Sequence, residues 1–562
     1  MATETPDVPA DSEEQAWWGG ESSVSRIRGV AFEYTTLFAT LFGILMVAIL
    51  LIYVSVDAIE PFTADPVWHL TFFGLFVVPS VTTWVVLGRV NPTARTVGSN
   101  TFGMILGGLF VAAGLVIVIV KTYGSIAWFA VSISVAIGAA AFYGYLQKRP
   151  RMNIIEQAAV FVALAILTVT GIPAIEPLGT PELLSPIWAF ILVAPFIPLE
   201  WTALAVTLGP LAGAIAARRV GSDREIETPW TVVLGAVVAG SLAAGAIAAT
   251  LGWNAEAAVV IFVTIAVPIG IYLDGVRTHD PSAIVGLVFP AVVIGGLVAA
   301  IVTTETLGFA RPDAWLDWGF LTSVHSRTAE DAGIYPALVG SVLMILVIAA
   351  SAFPVGVGAA IYLEEYAPNS GWLGQLVRLI KINIGNLAGV PSVVYGMLGL
   401  ALIIRFIGLP LGTVIVGGFT IGLLILPIVI ISAQEAIRAV PDSMRQASYG
   451  MGATRWQTTR NVVLPQAMPG ILTGTILALG RAIGETAPLI LIGAATTIYR
   501  PPGGIFSKFS AMPKQIHSWV VNYPQADFRY GVMAAGVVTL LVVLLGMNAA
   551  AIIIRNKYQR NQ

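Results

Sequence analysis

The sequence contains no cysteine, which excludes disulfide bonds, thiolate-bound metals and cysteine nucleophiles. It is also poor in charge. Asp, Glu, Lys and Arg together make up 11% of the 562 residues, whereas a soluble domain contains about 25%. Hydrophobic residues reach 57%, and the mean hydropathy is +0.86. These proportions exclude an ordinary soluble protein and predict a polytopic membrane protein.

Three further absences narrow the chemistry. The four histidines are isolated from one another, which indicates no metal site. No Walker-type Gly-Lys-Ser/Thr loop occurs, and Gly356-Val357-Gly358 lies in an apolar helical run with no strand before it, so neither predicts nucleotide binding. The net charge of −2 indicates no nucleic-acid partner. We therefore expect no catalytic residue and no directly bound cofactor.

The sequence contains many long runs of apolar residues. Fourteen of them are long enough for a helix that crosses about 30 Å of hydrocarbon. The run at 187–216 is interrupted by three prolines and Glu200, and it predicts either one kinked span or a re-entrant piece followed by a span. The sequence therefore predicts an all-α fold with about 14 transmembrane helices, at 31–56, 68–88, 101–120, 125–146, 154–172, 187–216, 230–250, 256–273, 283–304, 337–362, 383–407, 411–432, 470–493 and 531–554.

The charges between these runs predict the topology. If the amino terminus is cytoplasmic, sixteen basic residues of the connections and the carboxyl-terminal tail fall on the cytoplasmic side, in agreement with the positive-inside bias. The opposite connections at 57–67 and 173–186 contain acidic residues and no lysine or arginine. We therefore predict a cell-membrane protein with both termini cytoplasmic, and residues 1–29 form an acidic, disordered cytoplasmic tail. The basic residues that set this orientation are Arg89, Arg95, Lys148, Arg149, Arg151, Arg218, Arg219, Arg224, Arg277, Arg438, Arg445, Arg455, Arg460, Arg555, Lys557 and Arg560.

A polar stretch between two apolar runs, residues 435–465, is too polar for hydrocarbon yet has helical spacing. Pro441 suits the first turn of a short surface helix, and Gly452 suits its end. Thr454 suits the cap of a second helix, which we expect to stop at Leu464-Pro465. The stretch therefore predicts two short helices on the cytoplasmic side.

The residues of this stretch resemble a known family. Gln446-Ala447-Ser448, Gly452 and Val462-Val463-Leu464-Pro465 resemble the EAA loop of ATP-binding-cassette (ABC) import permeases, which docks the permease onto its ATPase. The continuation Gly480 to Leu489, GRAIGETAPL, resembles the PstA-type permeases of phosphate import, as do Tyr362–Tyr366 and Gly389–Gly396. The glutamate that names the loop is Gln446 here, so we assign that position no ionic role.

The resemblance implies a function and partners. It implies a permease subunit of an ATP-driven inorganic phosphate importer, which is itself no enzyme because ATP binds to a separate ATPase subunit. The implied partners are a PstC-like permease, two copies of the ATPase subunit, an extracytoplasmic phosphate-binding protein and membrane lipid. It also implies a coupling loop at 433–469, carried by Glu435, Arg445, Gln446, Ala447, Gly452, Ala453, Leu464 and Pro465.

The chain divides near residue 280 in this interpretation. Residues 281–562 hold six predicted spans, the number that the resemblance implies for one permease core. Residues 30–280 hold eight spans and no second copy of the polar loop, and they form a packing belt, a docking module or a regulator. Two large outer loops, 307–335 and 499–529, are candidates for receiving the binding protein. An importer for another oxyanion, or a gradient-driven secondary transporter, are the alternatives.

One pair of charges lies within a predicted span. Arg481 and Glu485 are four residues apart in the 470–493 run, so they share one helix face and can form an ion pair. An arginine at the centre of a span costs about 2.5–3.5 kcal/mol on insertion scales. The pair is either a neutralised structural contact or, together with Thr486, a gate on the anion path, because a guanidinium binds phosphate oxygens in bidentate fashion.

The predicted topology can be tested with reporter fusions. A reporter fused after Gln562 and one inserted near Gly450 are expected in the cytoplasm, and one near Gly503 is expected outside, because this orientation keeps the sixteen basic residues named above inside. Accessibility labelling in intact cells measures this. Finding the reporters at Gly450 and Gly503 on the same side would refute the predicted topology.

Overall fold

A computed structural model of the chain describes residues 26–149, 154–171, 184–194, 199–222, 230–368, 370–495 and 497–560. Within these ranges the chain is mostly helical and forms no β-strand, although Thr413 and Lys508 form an isolated bridge. The predicted all-α fold is therefore confirmed. The predicted tail lies almost wholly outside the described residues. The chain divides into two compact units, Met1–Val56 and Asp57–Gln562, and the predicted boundary near residue 280 stays a prediction.

The first half of the chain contains eleven of the described α-helices. They are α1 Arg26–Ile59, α2 Pro66–Phe72, α3 Val78–Val90, α4 Pro92–Leu115, α5 Ser125–Lys148, α6 Ile154–Ala165, α7 Ile187–Val193, α8 Glu200–Ser222, α9 Trp230–Thr250, α10 Ala255–Ile261 and α11 Val267–His279. Short 3-10 helices at Pro61–Thr63 and Pro281–Leu287 and π-helical segments at Phe73–Val77, Val116–Tyr123, Ile166–Thr170 and Phe262–Ala266 connect or extend them.

The second half contains the other described α-helices. They are α12 Val288–Thr306, α13 Trp318–Thr322, α14 Tyr335–Ile361, α15 Gly371–Ala388, α16 Ser392–Leu398, α17 Val414–Arg438, α18 Asp442–Gly450, α19 Arg455–Thr458, α20 Leu464–Gly484, α21 Ala487–Leu491, α22 Met512–Asn522 and α23 Met533–Arg560. The π-helical segments here are Tyr362–Tyr366, Gly399–Phe406, Thr459–Val463 and Asp527–Val532.

The number of spans differs from the sequence prediction. Among the described residues, 12 helices are long and apolar enough to cross a membrane, or 13 if the bent pair Gly371–Ala388 and Ser392–Phe406 is one span. The predicted count of about 14 is therefore not confirmed. The apolar helix described within the predicted run 154–172, Ala159–Val169, is too short to count. It packs beside α5, where Phe161 contacts Phe142.

Prolines explain where predicted runs divide. The run at 383–407 belongs to two helices that begin at Gly371 and Ser392 and meet at an angle of 112°, because Pro391 lacks the N–H that a continuing helix needs. The run at 187–216 contains α7 and α8 in place of one kinked helix, and α7 ends where Ala194 becomes extended. Pro195 and Pro198 lie outside the described residues.

The predicted stop at Leu464-Pro465 is wrong, since the helix runs continuously from Arg455 to Gly484. The Leu464 N–H donates to the carbonyl of Thr459, five residues back, so a π turn lies immediately before the proline. The wider turn accommodates a residue that has no N–H and whose ring would clash with the preceding turn. The same arrangement precedes Pro79 and Pro268. A π turn also precedes Pro368, but there the helix ends at Tyr366 and Ala367 is extended.

The largest apolar cluster is built mainly from α14, α17 and α20, which pack closely through small residues. A Cβ added to Gly474 of α20 would lie 2.2 Å from the Cβ of Ser432 of α17, and one added to Gly470 would lie 2.8 Å from the Cβ of Ala436. Nearer the start of α17, a Cβ on Gly418 would lie 2.4 Å from Val347 of α14. Small residues therefore let these three helices approach as membrane helices do.

Candidate functional site: a polar hairpin and a broken helix

The polar stretch forms a tight hairpin of two helices, α18 and α19. The first begins directly after Pro441 and ends near Gly452, which has a φ of +83°. No atom of the described residues lies within 4 Å of a Cβ placed on Gly452, so glycine is required by the backbone angle and not by space. Thr454 and Gln457 form a reciprocal capping box at the start of the second helix. The predicted turn at Gly452 and cap at Thr454 are confirmed.

The hairpin has a polar interior and a partly apolar surface. The buried hydroxyls of Ser448 and Thr458 are hydrogen-bonded at 2.8 Å and join the two helices. Gln446 and Ala447 are exposed on the first helix. Three large side chains project from the hairpin: Met451 is 82% exposed, Trp456 57% and Tyr449 42%. Exposed apolar residues clustered on a polar hairpin are typical of a protein-binding surface.

Arg445 anchors the hairpin to the helix bundle. Its Nη2 lies 3.0 Å from Oε1 of Glu365, and the two side chains are only 15% and 6% exposed. Nη2 also donates to the carbonyl of Ile437 at 2.9 Å, at the end of α17, where helix carbonyls lack partners. A more exposed contact joins Nη1 to Asp442 at 3.2 Å. Arg445 therefore connects α18, α17 and the π-helical end of α14.

Glu364 forms a second anchor beside the first. Its carboxylate accepts hydrogen bonds from Nε and Nη2 of Arg438 at 3.0 and 2.9 Å and from the Gln434 side chain at 2.9 Å. Lys381 of α15 approaches it at 2.9 Å. Arg438 also reaches Glu435, which is 67% exposed and lies in the last turn of α17. The Glu364–Glu365 dipeptide, which we call the carboxylate junction, thus binds α14, α15, α17 and α18 together.

The sequence prediction missed the role of the carboxylate junction. In the sequence, Tyr362–Tyr366 indicated only the family resemblance. The two adjacent carboxylates at the end of an apolar run could have indicated an ion-paired site. A buried carboxylate at the end of a span requires a positive partner, and the next cytoplasmic connection, 433–469, is basic. Pairing Glu364 with Arg438 and Glu365 with Arg445 was not readable, because they are 74 and 80 residues apart.

Arg481 and Glu485 are also in contact, but not within one helix. Helix α20 ends at Gly484, Glu485 has an extended backbone with a ψ of 125°, and α21 begins at Ala487. The prediction of one continuous helix over 470–493 is therefore wrong, and Arg481 lies in the last turn. Pro488 explains the break, since in a continued helix its ring would clash with the Gly484 carbonyl.

The ion pair at this break is partly accessible. Nε of Arg481 donates to Oε1 of Glu485 at 3.2 Å, and the side chains are 47% and 16% exposed. Thr486 follows at the break and is half-buried. A Cβ on Gly396 of α16 would lie 2.8 Å from Pro488, so α16 closes one side of α21. The guanidinium is thus held near one carboxylate, with nearly half its surface free.

The predicted site residues form two groups. Glu435, Arg445, Gln446, Ala447, Gly452 and Ala453 belong to the hairpin and its base, and Leu464 and Pro465 lie where the second hairpin helix continues into α20. Arg481, Glu485 and Thr486 lie at the far end of that same helix, about 25 Å away at 1.5 Å per residue. Among the described residues, no cluster of His, Cys, Asp and Glu could hold a metal ion.

A third polar cluster lies between the two large loops, 307–335 and 499–529. Nε2 of His325 lies 2.8 Å from the Tyr523 hydroxyl, and its Nδ1 lies 3.1 Å from the Gln515 amide. Burial, helped by the charge of Arg327, lowers the pKa of His325, so this histidine is neutral at pH 7. Burial also lowers the pKa of Lys514, on α22. The two hydrogen bonds of His325, to Tyr523 and Gln515, thus join the two loops.

The fold and these contacts define a multi-pass membrane protein with a polar hairpin fixed to its helix bundle. The family described as "Binding-protein-dependent transport system inner membrane component" matches residues 352–558, which include the hairpin, the carboxylate junction and the broken helix.

Relatives narrow the assignment. Phosphate transport system permease protein PstA 1 of Mycobacterium tuberculosis (strain ATCC 25618 / H37Rv) is 35% identical over 224 residues, covering 40% of this chain and 70% of that protein. PstA of Mycobacterium leprae is 36% identical, covering 45% and 79%. The probable ABC transporter permease protein YqgI of Bacillus subtilis is 31% identical, covering 46% and 90%. The chain belongs to the PstA-type permeases of this family.

A solved structure is also similar in part. The inward-facing MetNI methionine ABC transporter is 18% identical, covering 39% of this chain and 93% of that chain, with a TM-score of 0.32.

Removing one partner of the buried Arg445–Glu365 pair tests its anchoring role. Glu365→Gln leaves the guanidinium without its buried counter-charge and with only the exposed Asp442, and we expect a loss of about 3–5 kcal/mol in stability. Asp442→Asn is the matched control, since it removes the 86% exposed partner of the same arginine, and is expected to cost less than about 1 kcal/mol. Thermal unfolding of the purified protein in detergent measures both. Equal effects of the two variants would show that the buried pair anchors nothing.

Proposed function

We propose that this chain is a translocation subunit of an ATP-driven importer of inorganic phosphate. The observation that carries the proposal is the anchored hairpin. A surface helix pair that ends in exposed Tyr449, Met451 and Trp456 is fixed through Arg445 to the ends of two bundle helices. A surface that only covered the membrane end of a bundle would not need a buried ion pair to hold it.

The hairpin is the docking site for an ATPase subunit in this proposal. The exposed apolar side chains supply the contact area, and Gly452 allows the tight turn that presents them. The hairpin continues directly into α20, while Arg445 and the carboxylate junction connect it to α14, α15 and α17. Motion of the ATPase would therefore reach four helices through packed and ion-paired contacts and switch access between the two membrane faces.

Phosphate is the proposed substrate because several PstA relatives carry that function in their names and because Arg481 suits the chemistry. A guanidinium is charged at all physiological pH values and offers paired N–H donors to a tetrahedral oxyanion. Its position at a helix break, 47% exposed and held by Glu485, leaves donors available to a passing anion. Arg481, Glu485 and Thr486 would then form a gate on the path.

The remaining parts of the machine lie on other chains. ATP would bind and be hydrolysed on two ATPase subunits, a PstC-like permease would supply the other half of the pathway, and an extracytoplasmic binding protein would deliver phosphate. The protein would reside in the cell membrane, surrounded by lipid, with both termini and the hairpin cytoplasmic. This orientation places loops 307–335 and 499–529 at the outer face, where the binding protein docks.

Reconstitution tests the proposed function. Vesicles that contain this chain, a PstC-like permease and ATPase subunits, with the phosphate-binding protein supplied outside, are expected to take up radiolabelled phosphate when ATP is enclosed on the hairpin side, and vanadate is expected to stop uptake. Sulfate and molybdate in separate assays distinguish phosphate from other oxyanions. Uptake driven by a sodium or proton gradient without ATPase would refute the ATP-driven class.

Variants at the helix break separate a gate from a structural pair. If Arg481 binds the anion, the Arg481→Met/Glu485→Leu double variant is expected to assemble normally, and phosphate uptake per complex is expected to fall about 10- to 100-fold, the range for losing a charge-assisted hydrogen bond. Arg481→Lys is expected to be poor as well, since a point charge lacks the paired donors.

Arg405→Met is the matched control for these variants. It removes an exposed arginine from another membrane helix that the proposal does not place on the path, and uptake is expected to remain normal. Wild-type uptake by the double variant would reduce the Arg481–Glu485 pair to a packing contact.

A further inference from the structure

Two loops that are far apart in sequence run side by side in the second compact unit. Residues 58–65 lie antiparallel to residues 310–316 and are joined by five hydrogen bonds. The Leu316 N–H donates to the Ala58 carbonyl at 3.0 Å, the Trp315 Nε1 to Glu60 at 2.7 Å, the Asp313 N–H to the Thr63 hydroxyl at 2.9 Å, the Asp65 N–H to the Ala310 carbonyl at 3.1 Å and the Ala310 N–H to the Asp65 carboxylate at 2.9 Å.

Trp315 lies at the centre of this contact. Its indole N–H reaches Glu60, and its ring lies over Gly531, where an added Cβ would come within 2.4 Å of the ring atoms. The ring also packs against the apolar cluster that includes Phe528 and Val532, at the start of the last membrane helix. Trp315 therefore links residues 58–65 to the last helix of the chain.

Glu60, which accepts the hydrogen bond from Trp315, has a left-handed backbone conformation. Its φ is 45° and its ψ is 53°, and among the described residues it is the only non-glycine residue with a positive φ. Such a conformation is strained for a residue with a side chain and persists only where the surroundings enforce it. The side chain at this strained position is the acceptor of the Trp315 hydrogen bond.

The two halves of loop 307–335 have different hydrogen-bond partners. In the second half, His325 contacts Tyr523 and Gln515 of the family-matched region. The first half packs on that region through the Trp315 ring, but its five hydrogen bonds described above go to residues 58–65, which lie far outside residues 352–558. The amino-terminal extension thus adds polar contacts to a loop half that otherwise rests on ring packing.

We propose that residues 58–65 form a brace that sets the position of residues 308–318 at the outer face, and that this position determines how tightly the transporter engages its substrate-binding protein. The proposal assigns the extension a role in substrate delivery, and it rests on the proposed function for that second step. The brace itself is a property of the loop contact and can be tested without transport.

Hydrogen exchange tests the brace. Glu60→Gly removes the acceptor while relieving the left-handed backbone, so the fold is not penalised, and Trp315→Phe keeps a ring over Gly531 but removes the N–H donor. Both are expected to speed exchange of the Asp313 and Leu316 amides about five-fold, the effect of losing one net hydrogen bond. Glu60→Gln, which keeps an acceptor oxygen, and Trp318→Phe, a matched change at a 78% exposed tryptophan of the same loop, are expected to exchange as the wild type does.

Transport by the full reconstituted complex tests the consequence. With the phosphate-loaded binding protein as the variable, Glu60→Gly and Trp315→Phe are expected to raise the concentration for half-maximal uptake about five-fold, in line with one lost hydrogen bond, and to leave the maximal rate unchanged. The double variant is expected to do no more than either single variant, because both remove the same bond.

The two measurements have separate outcomes. Unchanged exchange in both variants would overturn the brace. Faster exchange with an unchanged half-maximal concentration would overturn its role in delivery. If the wild-type complex shows no ATP-dependent phosphate uptake, the proposed function fails, and the exchange result alone decides whether residues 58–65 hold the loop.

Discussion

Hydrocarbon offers backbone and charged groups no water, and this constraint accounts for most of the structure. A proline in a long helix lacks one N–H, and a π turn immediately precedes Pro79, Pro268 and Pro465, whereas the helix breaks at Pro391. Other prolines lie inside continuous helices with no π turn immediately before them: Pro210, Pro354, Pro427 and Pro469. The same constraint pairs the buried carboxylates, since both Glu364 and Glu365 contact cationic side chains. The helix irregularities at some prolines and the ion pairs of the buried carboxylates therefore have one cause, the absence of water in hydrocarbon.

Features encoded within a few residues were predictable from the sequence. Gly452 and Thr454 lie where the pattern predicts a turn and a cap, because a positive φ and a capping box depend only on neighbouring residues. Proline was harder to interpret, since Pro465 continues a helix through a π turn and Pro488 follows a break. Whether a helix continues or breaks at a proline depends on how the neighbouring helices pack, and the local sequence does not contain that information.

Contacts between distant segments were not predictable. Glu365 meets Arg445, and Glu60 meets Trp315 across 255 residues, and nothing in the local pattern indicates either pair. The resemblance located the hairpin correctly, because that segment is recognisable by its own residues. It could not show that Arg445 and Glu365 hold the hairpin to the bundle.

The two carboxylates of the junction are adjacent in sequence yet bind different helices. Glu364 contacts α15 and α17, and Glu365 contacts the arginine of α18. Neighbouring residues on a helix point in directions about 100° apart, so any twist of α14 about its own axis would pull both carboxylates from their partners at once. The two ion pairs therefore prevent α14 from rotating about its own axis. A force applied at the hairpin would tilt or shift α14 without rotating it.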